Sequence, residues 1–397
     1  MVVAVGRKNR TMGGSFLGGK GLTWIAYLFS TVALVVFAFN MFLLTSWDSH
    51  APQSTYVSPA NIKQYNEAAI RGGRAMGERT YPFTVAICVL MKDAENYFEE
   101  WLDYNFALGF DAIYIYDNSP SFELKNWYEN TRDHPTFGKV EVLHWLDESV
   151  ENQSNGYADC VEKFGRSEAG PKNDYFAFID VDEFFVIRSP KYNDIQGVLA
   201  DYLVPYGGAL TVNWLMVGSS NNSVSSPLPI TKRNQYRAKE THNVIKSFAK
   251  TSDYIEHINP HGVDVRSPST IHTTKYPGAL FKAASATHAS DQERPSDILL
   301  LYHYRYGSKK EYVFKRCVRG EVDAMGGSKW CDDNEIRSDD ETPEHIQIAP
   351  GEVFDDTAWK FLTSRVPKYR AFDEFEDFHH SVGFPPRPSL LRQALGG

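Results

Sequence analysis

Asp180 and Asp182 stand two residues apart in the stretch FIDVDEFF (residues 178–185), with Glu183 beside them and large apolar residues on both sides. Carboxylates held together in so apolar a setting repel one another and take up protons unless a cation compensates. A divalent ion is the economical partner, and all-oxygen ligation favours Mg2+, Mn2+ or Ca2+ over zinc or copper. The apolar run 175–179 just ahead reads as a buried strand. Residues two apart on an extended chain point the same way, so the two aspartates are expected to converge on one ion at that strand's carboxyl end. Open α/β sheets bind their ligands there. A bare D-x-D also arises by chance on solvated loops, and the flanking aromatic and aliphatic residues set this one apart.

The elements needed to hold such a turn are visible around it. VAICVLM (85–91) is a continuous apolar run, the pattern of a strand covered on both faces. A helix follows, with Asp93 as expected N-cap, a stripe of Phe98, Trp101, Leu102 and Phe106, and Gly109 at its stop. AIYIY (112–116) reads as a second strand ending in the turn-prone Asp117-Asn118-Ser119-Pro120. Strand, helix and strand in that order make a parallel βαβ unit. Further strands are expected at 140–145, 210–214 and 245–248, with a helix near 157–164. The alternation defines an α/β fold with a mostly parallel sheet.

The chain has 397 residues, 42% of them hydrophobic and 14% aromatic, enough for a sizeable core. Its formal charge of -9 leaves no basic footprint for nucleic acid. Residues 22–44 contain no charged side chain, a run long enough to span a bilayer. Arg7, Lys8, Arg10 and Lys20 precede it without an acidic residue, and Trp47 and Asp48 follow. The positive-inside rule then puts the N-terminus in the cytosol and the remainder in a lumen. The expected organisation is a cytosolic tail (1–21), an uncleaved signal anchor (22–44), a Pro/Ser/Gln/Asn-containing stem (45–82), a catalytic domain (83–375) and a C-terminal tail (376–397). The rival, a cleaved signal peptide, has a shorter apolar core.

Cys88, Cys160, Cys317 and Cys331 form no C-x-x-C pair, which disfavours zinc. Cys88 lies inside an apolar strand and reads as a plain core residue, while Cys317 and Cys331 are the nearest pair in sequence. Asn152 and Asn221 open N-x-S sequons that would face the lumen.

Four segments, VLMKDAENYFEEWLDYNFALGFDAIYIYDNS (89–119), FAFIDVDEFF (176–185), NWLMVGSS (213–220) and LLLYHYRYGSKKEYVFKRCVRG (299–320), resemble in order the landmarks of glycosyltransferase family 92 and its family 2-like relatives. The resemblance implies a GT-A (Rossmann-like) nucleotide-sugar-binding fold, a nucleotide-sugar donor, commonly UDP-galactose, and inverting transfer to a glycan or glycoprotein acceptor. It also implies a divalent metal, with Mn2+ favoured and Mg2+ the alternative, and a Golgi membrane protein of type II topology. The opening Lys92-Asp93-Ala94-Glu95 carries one residue more before the glutamate than the family's usual form.

On that footing Asp182, with Asp180, holds the metal, and His303 resembles the histidine that often completes such a site. Lys92 faces a phosphate, Glu95, Asp117 and Asn118 lie at the nucleotide edge, and Arg305, Lys309 and Lys315 neutralise the diphosphate. Inverting transfer needs a general base near the acceptor hydroxyl. Glu183, Glu256, His257 and His261 are the candidates, and Glu183 has the alternative role of capping the turn or orienting nearby cations. The rival readings are a transferase using another nucleotide sugar, and a non-catalytic carbohydrate- or metal-binding module of the same fold.

Overall fold

The computed structural model describes residues 81–373, leaving out 93–96, 130–137, 223–227, 267–270, 274–295 and 316–350, with short gaps within 121–127, 148–150 and 169–171 and at 243. Chain contacts divide the protein into residues 1–62 and 63–397, so all described residues fall in the second unit. Among them no helix is long and apolar enough to cross a membrane. The run 22–44 lies outside the described residues, as do Asp93, Glu95, Cys317, Cys331 and the C-terminal tail.

β1 (Val85–Met91) pairs in parallel with β2 (Ala112–Asp117), and β2 with β3 (Lys139–His144). On its other side β1 pairs in parallel with β4 (Tyr175–Phe178), so strand order reverses between β1 and β4. β1 can be apolar throughout because both of its faces are covered. Val85, Ile87, Val89 and Met91 join one core and Ala86, Cys88 and Leu90 the other, the period-two alternation of a strand.

The first core lies under α1 (Phe98–Leu108) and the second under α2 (Asn152–Val161), which continues as a π-helical turn, Glu162–Arg166. Gly109 ends α1 at φ 108°, a left-handed conformation open to glycine, and its N–H bonds Phe106 O. The N-cap is Tyr97, later than the Asp93 start expected. Cys88 is no plain core residue: it forms a disulfide with Cys160, fastening α2 to β1 across 72 residues of sequence.

β5 (Glu183–Ile187), α3 (Ile195–Tyr202), β6 (Ala209–Met216), α4 (Ile230–Arg233) and β7 (Tyr236–Arg237) lead to β8 (Ile245–Lys250). β8 inserts between β4 and β6 antiparallel to both, which brings its N-terminal residues to the carboxyl ends of its neighbours. β9 (Tyr254–His257) and β10 (Val263–Val265) form a hairpin, and β11 (Ile271–Thr273) pairs with β6. β12 (Leu299–His303) runs parallel to β6 and antiparallel to β5. α5 (Lys309–Val313), β13 (Val353–Phe354, on β7) and α6 (Thr357–Arg365) complete the described elements. The result is a mixed α/β fold built on a mostly parallel sheet, nine-stranded among the described residues.

Candidate active site

The carboxylates sit on a tight turn. β4 ends at Phe178, the Glu183 N–H bonds Asp180 O at 3.1 Å, and Glu183 begins β5. Asp180 and Asp182 are therefore not neighbours along one extended strand, as the apolar run suggested, but flank a turn. The i to i+3 bond turns the chain between them, and each carboxylate finds its own cation.

Asp180 is held from three directions. Its Oδ2 lies 3.1 Å from Lys246 Nζ, while its Oδ1 accepts from Gln153 Nε2 at 2.5 Å and from Tyr157 OH at 3.4 Å. Lys246 is fully buried, donates to Pro260 O at 3.2 Å and stands 3.8 Å from Glu183 Oε2. Its place follows from the antiparallel insertion of β8. Burial alone would raise the Asp180 carboxyl, yet the Lys246 ammonium outweighs it and holds Asp180 below its ordinary value. Burial would likewise push Lys246 down, but Asp180 and Glu183 hold it up and charged.

Asp182, 2% exposed, takes the other side. Lys315 Nζ lies 2.5 Å from its Oδ2 and His303 Nε2 3.4 Å from the same atom. His303 ends β12, opposite Glu183 across the antiparallel pair, and Tyr304 N–H bonds Asp182 O at 2.8 Å. Despite its burial, Asp182 is held well below the usual carboxylate range by Lys315 and His303. Burial pushes His303 down in spite of Asp182, so its imidazole is neutral near pH 7. Among the described residues its Nδ1 has no hydrogen-bond partner, nor does the buried Nε1 of Trp214, whose ring packs 4.3 Å from it. Lys315 follows α5, which opens with a Ser308–Glu311 capping box and is clamped by Arg233 to Glu311 at 2.6 and 2.8 Å.

Among the described residues no group of three or more His, Cys, Asp or Glu side chains is arranged around one point as for a metal. Asp182 and His303 do offer a carboxylate and a neutral imidazole with an orphaned nitrogen, a donor set that fits Mn2+ or Mg2+. Asp180 is already committed to Lys246.

Glu183 is fully enclosed. Its Oε2 accepts from Asp180 N–H at 2.8 Å, and its backbone O accepts from Trp101 Nε1 at 2.9 Å, which pins α1 beneath the turn. Burial, with Asp180 and Asp182 alongside, pushes its carboxyl above the usual carboxylate range, and Lys246 opposes that. A base must reach a hydroxyl and have room for its proton, so Glu183 is a turn cap, the second of the two roles expected for it.

His257 packs between Phe178 and Tyr157 at 4.2 and 4.9 Å, bonded at Nδ1 to Tyr254 OH. Burial and the Lys246 charge push it down to about 3, and His261 to about 4. His257 is a packed, neutral support and not a base poised near neutral pH. Glu256, beside it on β9, is exposed, whereas His257 and His261 are half-buried and Glu183 is enclosed.

At the other edge Lys92 follows β1, half-buried, and Asp117 ends β2, fully buried. Asp117 Oδ1 accepts from Ser119 N–H at 2.9 Å, and Oδ2 has no partner among the described residues. Asn118 is otherwise employed: its amide donates to Trp145 O at 2.7 Å and Asp147 O at 3.3 Å, holding the chain beyond β3. Arg305 is half-buried two residues after His303, and its charge acts on that imidazole. Sequence reasoning missed Lys246, Gln153 and Tyr157; the available signal was a lone lysine inside the otherwise apolar strand IKSFA (245–249).

The model of glycosyltransferase family 92 matches residues 81–339, more than half of the chain, and the chain belongs to that family. A family 92 protein of Oryza sativa subsp. japonica is 24% identical over 292 residues, covering 72% of this chain and 42% of the relative. One of Ricinus communis is 28% identical over 104 residues, covering 26% of this chain and 17% of the relative. The chain thus spans less than half the length of the curated relatives it matches. Among solved structures, Staphylococcus aureus TarS is similar at 11% identity and a TM-score of 0.27, covering 58% of this chain and 38% of that one. The mannosyltransferase PcManGT of Pyrobaculum calidifontis, in complex with GDP-Man and Mn2+, gives 12% identity and 0.25, covering 64% and 69%. Likenesses at these scores carry no argument about this chain.

Proposed function

We propose that the chain is an inverting glycosyltransferase of GT-A type that moves a hexose, galactose favoured, from a UDP-sugar to a glycan. The observation that carries the reading is the carboxylate turn at the carboxyl end of β4, where strand order reverses, with His303 Nε2 facing Asp182 Oδ2 at 3.4 Å. Family membership supports it. Asp182 and His303 would hold a divalent ion, which when bound supplies a Lewis acid for the leaving diphosphate. Lys315, Lys92 and Arg305 are the cations that would meet the phosphate oxygens. The unpartnered Asp117 Oδ2 accepts a hydrogen bond from the base or ribose of the nucleotide. Glu256 is the carboxylate open to an acceptor hydroxyl.

The test is release of nucleotide by the full chain from a panel of UDP- and GDP-sugars with Mn2+. Asp182→Ala is expected to lower release by about a hundredfold or more, the scale of losing a group that stabilises transition-state charge. Nucleotide binding with no turnover on any donor would favour the non-catalytic module.

The same reading puts the domain in the Golgi lumen behind a type II anchor at 22–44. The Cys88–Cys160 disulfide supports an oxidising compartment. Asn152 is buried, its amide donating to Asp147 O, whereas Asn221 is exposed. In a secretory host, mass spectrometry is expected to find glycan at Asn221 and none at Asn152; a bare Asn221 alongside an occupied Asn152 would contradict the fold around α2.

A further inference from the structure

We infer that Gln153 is a positioning residue of the active site and that the Cys88–Cys160 disulfide is what positions it: the bond sets the register of α2, and Gln153, on the same face of α2, holds the turn that carries Asp182. The inference rests on the reading of that turn as the donor site and adds what keeps the turn in place.

α2 is a weak helix by composition. In NQSNGYADCV only Gln153 and Ala158 are good helix formers, and no side chain caps its N-terminus. Such a helix takes its position from tertiary anchors. One of them is covalent, Cys160 to Cys88, with both residues fully buried. Cys88 is the register partner of Phe178, the last residue of β4, so the bond fastens α2 at the level where β4 gives way to the turn.

Gln153, Tyr157 and Cys160 stand at i, i+4 and i+7, one face of a helix. A covalent bond at Cys160 therefore fixes both the slide of α2 along its axis and the rotation of that face. The face delivers a closed triangle of hydrogen bonds: Gln153 Nε2 donates to Tyr157 OH at 2.8 Å and to Asp180 Oδ1 at 2.5 Å, and Tyr157 OH donates to the same oxygen at 3.4 Å. Asp180 closes the turn through its own backbone, its N–H donating to Glu183 Oε2 at 2.8 Å and its O accepting from Glu183 N–H at 3.1 Å. Asp182 lies within that closure, so a shift of α2 reaches it through Asp180.

The experiment compares the full chain with Cys88→Ala/Cys160→Ala, with Gln153→Leu and with their combination, each confirmed as folded by urea denaturation under the assay conditions. The kcat of nucleotide release is expected to fall about tenfold in the disulfide-free chain and about tenfold in Gln153→Leu, within the hundredfold that a misplacement of about an ångström can cost. The combination is expected to lie less than about twofold below either, because both act through one link. Losses that multiply to about a hundredfold, or a folded disulfide-free chain with wild-type kcat, would overturn the inference. Gly156 offers a rescue: a Cβ there would meet Trp145, Leu90 and Tyr116 at 3.5 to 3.6 Å, ordinary contact, and alanine favours the helix. Gly156→Ala is expected to return about threefold or more of the lost kcat to the disulfide-free chain and none to Gln153→Leu; rescue of both or of neither counts against the inference.

Hydrogen exchange reads the same link without donor or turnover. Removing the disulfide is expected to speed exchange of the α2 amides, and of the Asp180 and Glu183 amides that close the turn, by about tenfold, while β2 keeps its protection. Wild-type exchange at those amides sinks the inference whatever the donor, whereas failure to release nucleotide from any donor touches only the glycosyltransferase reading. If the disulfide-free chain does not fold, Gln153→Leu in the disulfide-bonded chain decides: the Asp180 and Glu183 amides must exchange faster, and unchanged exchange overturns the inference.

Discussion

β5 begins at one ionic cluster and ends just before another. At its first residue it meets Glu183, Asp180, Asp182, Lys246 and Lys315; just past its last, Arg188 reaches Asp355. Asp355 is as crowded with charge as the turn is. Its Oδ2 accepts from Arg188 at 2.9 Å, Arg237 at 2.7 Å and Tyr302 OH at 2.8 Å, and its Oδ1 from Thr357 N–H at 3.0 Å. Both Asp355 oxygens have partners there, and the cluster ties α6 and β13 to the sheet. At the turn, Glu183 Oε1, His303 Nδ1 and Trp214 Nε1 are buried without one among the described residues. Buried polar networks that serve stability are finished within the protein. The contrast is between a cluster joined by four hydrogen bonds and one that keeps buried polar atoms without a partner among the described residues.

The sharpest break of that contrast is a pair of substitutions compared by urea denaturation. Asp355→Ala strands two guanidinium groups and a tyrosine hydroxyl, and is expected to cost about 3–5 kcal/mol, the scale of removing one partner of a buried ion network. Asp182→Asn is near-isosteric and keeps an oxygen toward Lys315 and His303, and is expected to cost less stability than Asp355→Ala while lowering nucleotide release by about a hundredfold or more. Equal losses in the two variants would mean that the turn is as structural as the Asp355 cluster.

How much of this the sequence already showed depends on how local each cause is. β1 and β2 stood out because a strand covered on both faces must be apolar at every position, and Gly109 because ending α1 requires a left-handed residue. The direction of β8 has no local signature, since parallel and antiparallel strands share one side-chain period. Lys246 was therefore visible as an oddity without a partner, and its carboxylate lies 66 positions earlier, on β4's far end. Asp180-Val181-Asp182 misled for the opposite reason: alternation of polar and apolar residues fits a strand, but the hydrogen bond from Glu183 N to Asp180 O makes it a turn. Cys88 was masked by the same apolar run that revealed β1, and its partner Cys160 sits on a helix that only the fold brings near.

A smaller effect sharpens the comparison through pH. Unfolded histidine titrates near 6.5, whereas burial and Lys246 push His257 and His261 down to about 3 and about 4 in the folded protein. Between those values the unfolded chain binds more protons than the native one, so stability is full above about pH 6.5 and falls as pH drops through 6 and 5. Asp355 acts in a different window. Although burial opposes it, hydrogen bonds from Thr357 and Arg237 hold its carboxyl low, so its contribution is present above the ordinary carboxylate range and is lost only in stronger acid. Acid should therefore loosen the site before the Asp355 cluster. Urea midpoints of the full chain are expected to fall between pH 6.5 and 5, with each of the two histidines contributing on the order of 1 kcal/mol. His257→Phe keeps a ring against Phe178 and Tyr157 without a titrating nitrogen, and is expected to flatten that slope by about half. An unchanged slope in His257→Phe would mean that the imidazole is not held neutral beside Lys246.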